Sequence, residues 1–68
     1  MKFSDWLTKY IKADTIMGDF ARDVSRDRGF PAEQTYRSIR WHLVSRHACK
    51  EALSAFDRAW RAYKREFE

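Results

Sequence analysis

Apolar residues recur at steps of three and four along this chain, and no stretch alternates polar with apolar. That spacing fits the helical period of about 3.6 residues and not the strand period of two, so the sequence reads as all-α. The clearest instance is near the C-terminal end. Ala48, Ala52, Phe56, Ala59, Trp60, Tyr63 and Phe67 fall on one helical face, with Cys49 and Leu53 on its flanks and Ser54, Arg58, Arg61 and Arg65 opposite. Phe3, Trp6, Leu7, Tyr10 and Ile11 predict a first helix over about residues 4–12, with Ser4 or Asp5 as its N-cap. Ile16, Met17, Phe20, Ala21 and Val24 predict a second over about 15–28, capped by Asp14. Gly29 then stands where a left-handed residue closes a helix, with Phe30 folding back and Pro31 blocking continuation. A third helix, carrying Tyr36, Ile39 and Leu43, starts between Pro31 and Thr35 and ends before Ser45-Arg46-His47. The expected fold is a single small bundle of four or five short helices.

Sixty-eight residues allow one domain. Although 35% of them are charged, three Trp, three Tyr and five Phe supply the anchors of a core that disordered chains lack. A core of this size rarely provides more than roughly 3–5 kcal/mol, which leaves room for a partner or a dimer contact to add stability. The single cysteine, Cys49, forms no internal disulfide, so a reducing cytoplasm is the expected location. Met1 to Trp6 has no apolar signal-peptide core, and no apolar run approaches the ~20 residues that span a bilayer. A soluble monomer or weak homodimer with no membrane role is expected.

The residues for common active-site chemistries are missing. His42, His47 and Cys49 lie close in sequence, yet no second cysteine completes a zinc-type spacing. No serine sits in a Gly-x-Ser-x-Gly turn, and Gly18 and Gly29, the only glycines, are too far apart to cradle a phosphate. The expectation is a non-enzymatic protein with no catalytic residues, cofactor or metal.

Charge carries more information. The net charge is +4, but residues 1–34 hold six basic and six acidic side chains, so the excess lies wholly in the second half. From Gln34 to Lys50 there is no acid, while Arg37, Arg40, Arg46 and Lys50 are present, with His42 and His47 able to charge at lower pH. Turning Tyr36, Ile39 and Leu43 inward sends Arg37, Ser38, Trp41 and Ser45 to the opposite side. Trp41 is the unusual member of that face. Either a neighbouring helix covers it, or it is an exposed anchor of the type enriched in binding hot spots, or a surface on which an unpaired base stacks. Arg58, Arg61 and Arg65 form a second basic ridge, readable as a solvated face or as phosphate contacts. Asp57 stands four residues before Arg61, the spacing of a surface ion pair. On the second helix, Asp19, Arg22, Asp23 and Arg26 mix signs and read as a self-neutralising surface.

The ordered landmarks Phe3, Trp6-Leu7, Tyr10, Phe20-Ala21, Asp27, Phe30-Pro31, Tyr36, Ile39, Leu43, Ala55-Phe56-Asp57-Arg58-Ala59-Trp60 and Tyr63 run through nearly the whole chain. In this order they resemble the YozE-like small bacterial proteins, whose fold is described as SAM-like. The resemblance implies short helices in two roughly orthogonal hairpins, as in SAM domains and helix-hairpin-helix modules, and it implies no activity. The relatives are more acidic in the third helix, so Arg37, Arg40, Trp41, Arg46 and Lys50 mark a departure from them.

Two functions follow as expectations. One is nucleic-acid binding with little sequence specificity through Arg37, Arg40, Trp41, Arg46, Lys50, Arg58, Arg61 and Arg65. The other is a protein–protein module, homo-oligomer or small regulator, with Trp41 as anchor and the basic rim steering an acidic protein surface.

Overall fold

Phe3, Trp6 and Leu7 are spaced so that one side of a single helical turn carries all three, and all three are buried. They belong to the first of four helices in the computed structural model, which describes residues 1–67: α1 (Phe3–Leu7, extended by a 3-10 turn over Thr8–Tyr10), α2 (Ile16–Arg26), α3 (Tyr36–Ser45) and α4 (Lys50–Phe67). No strand occurs among the described residues. None of these helices is long and apolar enough to cross a membrane.

The first helix is shorter than its apolar spacing predicts, and it begins earlier. Lys2 is its N-cap, through backbone alone: the Trp6 N–H donates to the Lys2 carbonyl at 3.0 Å. Ser4 is not the cap because Gln34 occupies it. The Ser4 N–H donates to Gln34 Oε1 at 2.8 Å, and Gln34 Nε2 donates to the Ser4 hydroxyl at 2.9 Å. Asp5 falls inside the helix, where its carbonyl accepts from the Thr8 hydroxyl at 2.6 Å.

Helix α2 is capped by Thr15, whose hydroxyl accepts from the Gly18 N–H at 3.1 Å, rather than by Asp14. Phe20, Ala21 and Val24 are buried and Met17 partly so, but Ile16 is 56% exposed because it lies at the edge of the apolar stripe. The helix stops at Arg26, not at 28. Asp27 leaves it in an extended conformation and accepts the Gly29 N–H at 2.9 Å, an Asx turn. Gly29 therefore has no positive φ, contrary to the expected left-handed cap.

That conformation appears instead at His47, φ 60°, after α3. The Ala48 N–H donates to the Leu43 carbonyl and the His47 N–H to the Val44 carbonyl, both at 3.0 Å, which is a Schellman closure around a non-glycine residue. At its other end α3 has a capping box of Thr35 and Ser38. The long helix α4 starts at Lys50, so Ala48 precedes it and Cys49 lies exposed before it. Ala55, Phe56 and Ala59 form its buried seam, while Phe67 is exposed.

The core is a set of rings around Phe3. The rings of Trp6, Phe20, Phe56, Trp60 and Tyr63 have centroids between 5.3 and 6.5 Å from it, those of Phe56 and Tyr63 in the edge-to-face arrangement that aromatic quadrupoles favour. The chain ends meet at the same place. The Trp6 indole N–H donates to Glu66 Oε2 at 2.7 Å, Lys9 reaches the same oxygen at 3.0 Å, and the Tyr63 hydroxyl donates to the Met1 carbonyl. Between α1 and α2, Arg22 is not merely part of a solvated surface. Besides pairing with Asp19, it donates to the carbonyls of Ile11 and Ala13, at 2.8 and 3.1 Å. That turn presses so closely on α2 that a Cβ at Gly18 would lie 1.9 Å from the Ala13 carbonyl oxygen.

Gly18 and His47 make opposite predictions. Gly18→Ala forces backbone apart and should lower stability by about 1–3 kcal/mol. His47→Gly relieves a left-handed residue and should raise it by about 1 kcal/mol. Urea midpoints of the two variants against the parent protein check both.

Candidate functional site

Among the other helices, α3 packs closely against α4 alone. Ile39 is its one fully buried residue. Tyr36 stacks on Phe56 at 5.1 Å and meets Trp60 edge-on at 6.0 Å, and its hydroxyl donates to Asp57 Oδ1 at 2.8 Å. Leu43 is partly buried against the core. On the other flank, His42 Nε2 lies 2.6 Å from Asp27 Oδ2 and its ring meets Phe30 edge-on at 5.7 Å. These contacts fix which way α3 faces. Its remaining arc, with Arg37, Arg40, Trp41 and Val44, points to solvent.

Trp41 is 74% exposed, so no neighbouring helix covers it. Val44 is 49% exposed beside it. Two shallow grooves share Trp41 and Arg37. One, of about 640 Å³, runs toward the α2–α3 connection and includes Pro31, Glu33, His42 and Ser45. The other, of about 410 Å³, includes Tyr36, Arg40 and Val44. Helical geometry places Ser38, His42 and Ser45 on one side of Trp41 and Tyr36, Arg40 and Val44 on the other. The indole thus stands between two open concavities.

The basic residues do not form one patch. Arg37 and Arg40 line one groove with Trp41, both on its Val44 side. Tyr36 and Asp57 join α3 to α4, and Arg37 and Arg40 follow Tyr36 by one and four residues just as Arg58 and Arg61 follow Asp57. Asp57 has Tyr36 as its partner, and the expected Asp57–Arg61 pair does not form. Arg58 turns toward the α2 side, beside a groove with Ile16, Met17 and Glu51. Lys50 begins α4, and Arg65 lies two turns beyond Arg58 on the outward ridge. Arg46 turns back, with Nη1 3.8 Å from Asp27. Among the described residues, Arg37, Arg40, Lys50, Arg58, Arg61 and Arg65 are all exposed and none has an acidic side chain within ion-pair distance.

Three groups have shifted titration. The bond to His42 holds the Asp27 carboxyl below its ordinary value; partial desolvation works against this, while the Gly29 N–H and the Arg46 charge add to it. The Tyr36 phenol is raised, first by its bond to the Asp57 carboxylate. Glu66 is lowered by the Trp6 N–H and by Lys9. The first two hold α3 in place, and the third ties the chain ends together.

The YozE SAM-like fold model matches residues 3–65. The chain belongs to that family. No curated protein and no solved structure is found to match it. The match spans α1, α2, α3 and most of α4, so the outward arc of α3 lies within it.

Sequence reasoning missed Val44, the Tyr36–Asp57 bond and the Asp27–His42 contact at this surface. Val44 follows Arg40 by one helical turn, so the arithmetic that exposes Arg37 and Trp41 exposes it too. The Asp27–His42 contact joins residues fifteen apart and had no local signal.

Because the Asp27 carboxyl is lowered on folding, it adds stability above its unfolded value, near pH 4, that is lost as pH falls through the folded value. Asp27→Asn keeps an acceptor for Gly29 and removes the charge. The gap in urea midpoint between parent and Asp27→Asn should be largest above about pH 5 and close progressively below pH 4.

Proposed function

We propose that this YozE-like protein is a non-enzymatic nucleic-acid-binding protein that engages phosphates through the α3–α4 surface with little sequence specificity. The observation that carries the reading is the set of exposed arginines on either side of the Tyr36–Asp57 seam, none with an acidic side chain within ion-pair distance among the described residues. A folded surface that leaves guanidinium groups without acids favours an anionic partner, and guanidinium forks match phosphate geometry. Arg37, Arg40 and Arg61 serve as the nearest contacts, with Arg58, Lys50 and Arg65 extending the field along α4. Arg46 contributes less, because Asp27 partly neutralises it. Such contacts position a protein on a backbone without reading bases, which gives weak specificity.

A second reading is supported by the apolar component of the same face. Tyr36, Trp41 and Val44 are all exposed at steps of three and five, and an apolar strip with a basic rim suits an acidic protein surface as well.

Salt separates the two. If four phosphates are neutralised on duplex DNA, log K should fall with log salt at a slope of about −3 to −4. Anisotropy titrations of a short labelled duplex between 50 and 200 mM salt measure that slope. No binding at the lower concentration, or a flat response, contradicts the phosphate reading and favours the protein partner.

A further inference from the structure

Phosphate contacts explain the arginines and leave Trp41 unexplained. An indole that is 74% exposed, on a helix whose inner arc is already satisfied by Ile39, Tyr36, Leu43 and His42, contributes little to the core. Resting on the nucleic-acid reading above, we propose that Trp41 is a stacking platform for unpaired bases, so that the preferred ligand is a single strand whose backbone runs past Arg37 and Arg40.

Three observations carry this. The first is open space on both flanks of the indole. The two grooves have Trp41 and Arg37 in common and lie on opposite flanks of α3, so a planar group can approach the indole from either side. Together they offer space for two successive bases, one on each flank. Bases inside a duplex are stacked on one another and expose no π-face, so such a platform discriminates for single strands.

The second is the placement of charge. Arg37 lies one turn before Trp41 and lines both grooves, and Arg40 lines the second. Both are exposed, and neither has an acidic side chain within ion-pair distance among the described residues. A strand that inserts a base beside the indole therefore brings its phosphates to guanidinium groups.

The third concerns what fills the larger groove. Glu33 is exposed on its wall, and its carboxylate repels a phosphate. Pro31 and Trp41 supply the apolar part of the same wall. With Glu33 set against Arg37, that groove suits the neutral, flat base better than the anionic backbone, which follows Arg37 and Arg40 on the other side of the helix.

The test compares three ligands of equal length at one low salt concentration: a mixed-sequence single strand, its duplex, and an abasic strand with the same phosphates and no bases. The parent protein should bind the base-containing single strand most tightly. Trp41→Ala should weaken that complex on the order of 10-fold or more and leave duplex and abasic affinities within about twofold, because only the stacked bases are lost. Trp41→Phe should retain most of the single-strand affinity. Equal thermal midpoints for the parent protein and both variants confirm that folding is unchanged. The proposal is overturned if Trp41→Ala leaves single-strand binding intact or weakens all three ligands alike. In both of those outcomes phosphate binding itself survives. If the parent protein binds none of the three, the nucleic-acid reading falls with it. Loss of a self-associated species in Trp41→Ala, with no change in nucleic-acid affinity, would place Trp41 in a protein interface.

Discussion

Phe3 is the residue on which the arrangement depends. Its ring lies among those of Trp6, Phe20, Phe56, Trp60 and Tyr63, so one side chain near the N-terminus joins α1, α2 and α4. In so short a chain the buried area is small, and four of the ten buried core residues are aromatic, a type that buries about 150–250 Å² each. The hydrogen bonds from Trp6 and Lys9 to Glu66, and from Tyr63 to the Met1 carbonyl, close the same cluster at its edge. With α1, α2 and α4 held this way, α3 is left as the peripheral helix of the YozE-like bundle.

That peripheral position is what gives α3 its exposed arc. Its inner side is committed at three places: Ile39 in the core, Tyr36 against Phe56 and Asp57, and His42 against Asp27. The tethers lie on both flanks of the helix, so its rotation about its own axis is fixed. Fixing the inner side determines the outer one. Arg37, Arg40, Trp41 and Val44 are presented together because the backbone gives them nowhere else to point. A rigid helix carrying an aromatic ring beside guanidinium groups is better suited to recognition than a mobile loop with the same composition, since little backbone order has to be gained on binding.

The helices were legible in the sequence because periodicity is a local signal. The buried faces of α2 and α4, the inward side of α3 and the outward position of Trp41 all follow from spacing alone. Helix ends were less legible, for reasons that differ from case to case. Ser4 is a good N-cap by type, but Gln34, thirty residues away, takes both its backbone N–H and its hydroxyl. Gly29 is a good left-handed cap by type, but Asp27 had already turned the chain out of α2. The left-handed position then fell to His47, where sequence offers only a weak preference. In the candidate site, the charge was readable from the acid-free run, whereas the sequence left open whether a neighbouring helix covers Trp41, which is 74% exposed. The Tyr36–Asp57 seam, the Asp27–His42 contact and the pair of grooves around Trp41 were not, because each depends on how distant segments meet.

The central claim is that one face of α3, with the adjoining part of α4, is the recognition surface of this protein. Amide NMR during titration with a short mixed-sequence single strand tests it most directly. The account predicts shifts concentrated on residues 37–50 and on the arginines of α4, with the Trp41 indole N–H among the most affected and the amides of α1 and of mid-α2 unmoved. Shifts centred on the α2 face, or spectra unchanged at saturating strand and low salt, would contradict it.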